Sequence, residues 1–227
     1  MKCTDFFLRK IVMSGADSFQ KLCSAYPVLK PMMPQICAAF SLLRDCVGCG
    51  GTIYTCGNGG SAADAEHIVG ELMKSFLLPR PLLAEDREAL IGADADFGPA
   101  LAKGLQKGIR AISLVSGISL STAIANDVLP ELVYAQQIYA LGRPSDVLWG
   151  ISTSGNSRNV NCAFVAAHAC GVKTLGLTAG NGGRMAGLCD VELRVPTDCT
   201  PAAQEMHLPI YHALCAALEA EFFAAAE

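Results

Sequence analysis

Residues 52–71 read Thr-Ile-Tyr-Thr-Cys-Gly-Asn-Gly-Gly-Ser-Ala-Ala-Asp-Ala-Glu-His-Ile-Val-Gly-Glu. The first five are β-branched, aromatic or apolar, the composition of a buried strand. Glycines at 57, 59 and 60 mark a turn, and the run from 61 has the apolar spacing of a helix. A strand that passes through a glycine-rich turn into a helix is the first half of a βαβ unit, and the helix start aims free backbone amides beyond the strand's end. His67 and Glu71 stand four residues apart, so they share one helical face just past those amides. A turn suited to an anion thus lies beside groups suited to proton transfer, which points to a small-molecule phosphate site.

The same alternation continues outward. Short apolar runs at 52–56, 110–115, 146–152, 173–178 and 191–195 are separated by helical patterns at 61–75, 119–125 with a continuation at 131–141, 157–170, 182–188 and 201–226. Strands alternating with helices predict an α/β fold with a doubly wound, five-stranded parallel sheet. Two further helical stretches, 2–29 and 31–48, precede the first strand. The expected organisation is a helical lead over 1–50, part of the same compact unit, followed by the sheet domain over 51–227. The segment 77–109 is long for a connection and carries an acidic cluster at Glu85, Asp86 and Glu88, so it reads as an inserted lid or interface element.

Composition narrows the function classes. The chain has 227 residues, 52% of them hydrophobic, enough for one domain with a substantial core. A net charge of −4 supplies no basic footprint, which argues against nucleic acid as a partner. No apolar run is long enough to span a bilayer, and the first ten residues lack a secretory pattern, so a cytoplasmic location without membrane contact is expected. The eleven cysteines are scattered and odd in number, which suits free thiols used as small hydrophobes. One CxxC, Cys46 to Cys49, has no second pair to complete a zinc site and reads as a helix end.

Three predicted strand ends carry ligand-cradling residues: 57–61, 152–157 and 178–183. The second, Ser-Thr-Ser-Gly-Asn-Ser, places four hydroxyls within six positions at a strand-to-helix junction. Helix capping accounts for one; the others, with backbone amides, suit three phosphate oxygens. The glycines of the third loop read as turn residues. Gly57-x-Gly59-x-x-Ala62 fits a dinucleotide fingerprint, but the next strand comes late and lacks the ribose-binding acid, so no nucleotide cofactor is expected. The last helix contains Gln204 and His212, about 12 Å apart along an ideal axis and rotated by roughly 80°. Pro209 between them predicts a bend.

Taken together, Cys-Gly-Asn-Gly-Gly-Ser at 56–61, His67-x-x-x-Glu71, Asn126-Asp127, Gly-Ile-Ser-Thr-Ser-Gly-Asn-Ser at 150–157, and Gln204-Glu205-x-His207 through His212 resemble the sugar isomerase (SIS) domain of the phosphoheptose isomerase family. The resemblance spans residues 52–220. It implies a flavodoxin-like sheet, a homotetramer with active sites at subunit interfaces, a sugar-phosphate substrate, and aldose-ketose isomerisation of sedoheptulose 7-phosphate to glycero-manno-heptose 7-phosphate. It also implies one zinc per subunit, with His67, Glu71, Gln204 and His212 as ligands. Substrate contacts carried over by the resemblance are Asn58, Gly59, Gly60, Ser61, Glu71, Asn126, Asp127, Ser152, Thr153, Ser154, Ser157 and Gln204. His207 matches a family histidine with a weaker claim.

Such an isomerase must remove a proton beside a carbonyl, stabilise an enediol and return the proton to the neighbouring carbon. Glu71 is the candidate base and His212 the candidate acid or shuttle, with the assignment of each proton left open. Where the family often has an arginine four residues after the glutamate, this chain has Ser75, with Lys74 and Arg80 as nearby substitutes. A non-catalytic SIS module that binds a sugar phosphate or a protein is the alternative, and retention of both Glu71 and His212 favours the enzyme.

Overall fold

The computed structural model describes residues 15–224. Its framework is a parallel sheet of β1 (Ile53–Cys56), β2 (Ala111–Ser113), β3 (Val147–Ile151), β4 (Lys173–Ala179) and β5 (Val191–Val195), in the spatial order β2-β1-β3-β4-β5. All four neighbouring pairs are parallel, as the strand-helix alternation predicts. The helices among the described residues are α1 (Gly15–Ala25), α2 (Met33–Gly48), α3 (Gly60–Met73), α4 (Ala84–Ala93), α5 (Gly98–Gly104), α6 (Ile118–Asp127), α7 (Ala135–Leu141), α8 (Arg158–Ala169) and α9 (Thr200–Phe223).

Strand residues alternate between two cores, because successive side chains leave a strand on opposite faces. Ile53, Val147, Trp149 and Ile151 pack with buried residues of α1, α2, α3 and α9. Tyr54, Cys56 and Leu148 pack on the other face with Tyr134, Ile138, Val160 and Phe164 around α7 and α8. In α2 the apolar stripe Ile36, Ala39, Leu43 and Cys46 recurs every three or four residues and is buried, each large side chain contributing roughly 1.5–3 kcal/mol. Burial pushes the Cys46 thiol up to about 12, away from the thiolate form.

Departures from expectation have local causes. The predicted helix 2–29 ends at Ala25, and a 3₁₀ turn, Pro27–Met32, follows; Pro27 and Pro31 disfavour α geometry at the residues before them. Residues 2–14 of that prediction, and 225–226 of the last predicted helix, lie outside the described residues. The 182–188 pattern forms only a 3₁₀ turn, Met185–Leu188. The edge strand β2 is shorter than 110–115, since its one neighbour β1 is itself short; Leu114 N still reaches Thr55 O at 2.9 Å. Within 77–109 the chain builds α4 and α5, which pack against each other. None of the α4 residues is buried, and Phe97, between the two helices, is 71% exposed. No helix among the described residues is long and apolar enough to cross a membrane.

The strand order reverses between β1 and β3, the crevice where open parallel sheets bind ligands. The loops after these two strands are the glycine turn and the hydroxyl loop.

Candidate active site

The turn after β1 is held by its neighbours. Tyr134 donates its hydroxyl to Gly57 O at 2.6 Å, and Asn58 exchanges two side-chain hydrogen bonds with Asn159, each 2.8 Å. That pair ties the turn to the first turn of α8. Gly59 has φ of 57° at the N-cap of α3, a left-handed position that glycine takes without a Cβ clash. α3 then buries Ser61, Ala65, Ile68 and Leu72. The intervening positions Asp64, His67 and Glu71 follow three- and four-residue steps, so they share a stripe that faces α9.

On α9 that stripe meets Tyr211 and His212. Tyr211 donates its hydroxyl to Asp64 Oδ1 at 3.1 Å, and the same oxygen lies 3.0 Å from His67 Nδ1. A phenol has one proton, so with that proton on Asp64 the bond to His67 runs from Nδ1–H to the Tyr211 oxygen. His67 Nε2 lies 3.1 Å from Glu71 Oε1 and 3.5 Å from His212 Nε2. The three side chains thus converge on one point between α3 and α9. Burial pushes the Asp64 carboxyl up, and burial together with Asp64 pushes the Tyr211 phenol up, so it stays protonated. Burial, with the neighbouring His67, pushes His212 down and favours the neutral ring.

Among the described residues no group of three His, Cys, Asp or Glu side chains stands in metal-holding geometry. The donor types nevertheless fit zinc: two imidazole nitrogens and a carboxylate whose Oε2 is buried without a hydrogen-bond partner. The bond from His67 Nδ1 to Tyr211 is the kind of outer contact that orients a ligating imidazole.

Gln204 lies two turns earlier on α9 with its amide against Gly60, at the start of α3 rather than beside His67. α9 of the same chain packs along α3 and brings His212 to His67. α9 also continues through Pro209 as one α-helix of 24 residues.

The hydroxyl loop closes the other side of the crevice. Ser152 is buried and donates to Ser157 Oγ at 3.0 Å. Ser157 is the N-cap of α8, yet its side chain makes no cap bond; the Val160 amide in that first turn donates to Asn159 Oδ1 at 3.0 Å instead. Thr153 and Ser154 line a cavity of about 250 Å³ that reaches Gly180, Asp198 and Thr200 at the start of α9. Asn126 and Asp127 are not brought to this cluster. They end α6 beyond the edge strand, exposed, with Asn126 Nδ2 donating to Asp127 Oδ1 at 2.8 Å.

Of the two proposed arginine substitutes, Lys74 Nζ stands 3.7 Å from Glu71 Oε2. Arg80 does not face the site: its side chain is fully buried on Glu219. Phe76 occupies the space beside His212, ring centroids 5.5 Å apart. Asp64, Tyr211, Phe76 and Asn159 escaped the sequence reading. Asp64 precedes His67 by one helical step and Tyr211 adjoins His212, but nothing local says that the two meet.

His207 is a structural residue. It is fully buried, and its Nε2–H donates to Thr178 O at 3.1 Å, stapling α9 to β4. Burial lowers it from 6.5 to about 4. The unfolded chain therefore binds a proton that the folded chain refuses between these values, so stability is complete above pH 6.5 and falls as pH drops toward 4, by roughly 3 kcal/mol. His207→Gln, which keeps the donor to Thr178, should flatten that part of the stability profile, measured by urea unfolding across the same range.

The chain is similar to known proteins over most of its length. The SIS domain family profile matches residues 26–91 and 100–179. The phosphoheptose isomerase of Geotalea daltonii is 38% identical over 212 residues, covering 93% of this chain and 96% of that one. That of Helicobacter pylori is 44% identical over 172 residues, 76% of each. The solved structure of the phosphoheptose isomerase from Neisseria gonorrhoeae superposes with a TM-score of 0.68 at 34% identity, covering 90% of this chain and 94% of that one.

Proposed function

Because the chain belongs to the phosphoheptose isomerase family of SIS-domain enzymes, we propose that its substrate is sedoheptulose 7-phosphate, isomerised to glycero-manno-heptose 7-phosphate. The observation that carries the reading is the meeting of His67, Glu71 and His212 between α3 and α9, on the helix that starts at the glycine turn. Glu71 lies eleven residues after Gly60, about 16 Å along the helix, so a sugar held lengthwise from the hydroxyl loop suits the spacing better than a short one.

In this reading Ser152, Thr153, Ser154 and Ser157, with the first amides of α8, hold the phosphate. Asn58, Gly59, Gly60, Ser61 and Gln204 hold the sugar oxygens. The Glu71 carboxylate takes a proton from C1 of the ketose; the C1–C2 enediol forms as the C2 oxygen gains a proton. Loss of the O1 proton and return of the Glu71 proton to C2 complete the aldose. His212, neutral and able to both donate and accept, moves the proton between O1 and O2. One zinc per subunit, held by His67, Glu71 and His212, would polarise the carbonyl; Gln204, the fourth ligand the resemblance implies, lies against Gly60 instead. A homotetramer is what the family resemblance implies, and apolar side chains left exposed, among them Phe97, Ile118 and Tyr139, offer surface for self-association.

Turnover of sedoheptulose 7-phosphate followed by NMR, beside Ser152→Ala and Ser157→Ala, tests the assignment. The native protein should convert the sugar, and each variant should raise KM about tenfold, the effect of one lost hydrogen bond to a charged group. Saturable binding of the sugar phosphate without conversion, in protein loaded with zinc, would show a sensing module instead.

A further inference from the structure

The end of α3 is braced to α9 by a buried ion pair that the reaction does not use directly. Arg80 and Glu219 have side chains 0% exposed, and Arg80 Nε donates to Glu219 Oε1 at 2.7 Å. The same carboxylate accepts the backbone N–H of Phe76 at 2.8 Å, Leu77 at 2.7 Å and Leu78 at 2.9 Å. Arg80 in turn donates to Leu72 O at 2.6 Å and Glu71 O at 3.0 Å, the last carbonyls of α3, and its guanidinium lies 4.6 Å from the Phe223 ring centroid. The Glu219 bonds tie the segment after α3 to α9, and the Arg80 bonds to Leu72 and Glu71 tie that segment back to the end of α3, within about two turns of His67 and His212.

A buried pair of this kind is a poor way to gain stability, since desolvating both charges offsets their attraction. Its effect is directional: a fully satisfied polar network fixes one arrangement where apolar packing would allow several. Glu219 follows His212 by seven residues, so both project from the same face of α9. We propose that Glu219, acting through Arg80 and the strap 76–78, is a positioning residue that sets the Glu71 carboxylate and the Phe76 ring against His212. The proposal rests on the isomerase reading for its kinetic effect, and on the geometry alone for its structural one.

Glu219→Gln keeps the shape but replaces one acceptor oxygen with an NH₂ group, and Arg80→Lys keeps the charge but cannot span Glu219 and both carbonyls. Leu193→Ala, a core cavity on β5 away from the strap, is the control for lost stability. In folded protein, Glu219→Gln should lower kcat about 10²-fold, the effect of misplacing a reacting group by about 1 Å, with KM changed less than about threefold. Arg80→Lys should lower kcat about tenfold, and carries the test if Glu219→Gln does not fold. Leu193→Ala should lose melting temperature yet keep kcat. In parallel, the His212 ring signals in a ¹H–¹³C spectrum should shift in the two strap variants, as the Phe76 ring moves, and stay in place in the control. Native kcat and unmoved ring signals in the strap variants, or equal loss of kcat in the control at matched stability, would overturn the proposal. Failure of the native protein to turn over the sugar would sink the assigned reaction instead, and the ring signals would still decide the brace.

Discussion

Glu71→Gln should lower kcat on sedoheptulose 7-phosphate by about 10²–10⁴-fold, the span expected for a lost general base, while KM changes far less. The substitution keeps side-chain shape and one carbonyl oxygen, so the packing of α3 on α9 is not disturbed. What disappears is the basic oxygen 3.1 Å from His67 Nε2. Two measurements separate the base from its neighbours: progress curves for the sugar, and exchange of the C1 hydrogen in D₂O. With Glu71 as base, both fall together. Turnover lost with C1 exchange retained would move proton abstraction to His212, leaving Glu71 a role after the enediol. Zinc content measured on the same samples reports whether the carboxylate was needed to hold a metal. A change there with exchange retained would assign Glu71 to binding rather than to proton transfer.

The sheet was legible because its strands are short apolar runs closed by glycine, and because parallel strands need helical crossovers. The stripe His67 and Glu71 was legible for a similar reason, since helical spacing is a local property. What the sequence hid lies in contacts across the chain. Tyr211 and Asp64 are 147 residues apart, and Arg80 and Glu219 139 apart; no periodicity links them. Arg80 looked like a spare substrate cation because its charge is visible in sequence and its partner is not. Helix α4 went unseen because it buries no side chain and has no apolar stripe to show. The 3₁₀ turns read as helices because one turn of either type has nearly the same residue pattern, and only the prolines around 27–31 distinguish them.

Gly155→Ala should act on the opposite half of the site. Gly155 has φ of 64°, which costs an alanine about 1–2 kcal/mol. A Cβ there would also collide with the carbonyl oxygen of Gly182, where the loops after β3 and β4 touch backbone to backbone; overpacking of that kind costs about 1–3 kcal/mol. The two effects together predict a loss of about 2–5 kcal/mol in urea unfolding. The loop cannot yield quietly, because Gly155 N donates to Ser152 O at 2.9 Å and Gly155 O accepts Met185 N at 2.9 Å and Asn161 Nδ2 at 3.2 Å. Any shift that relieves the clash therefore drags Ser152 and the start of α8. If those groups hold the phosphate, KM should rise by at least about tenfold, with kcat at saturation much less affected, since Glu71 and His212 sit on other helices. Glu71→Gln and Gly155→Ala thus split the two kinetic constants between the two sides of the crevice. A Gly155→Ala protein that is destabilised but keeps its native KM would remove the phosphate from this loop.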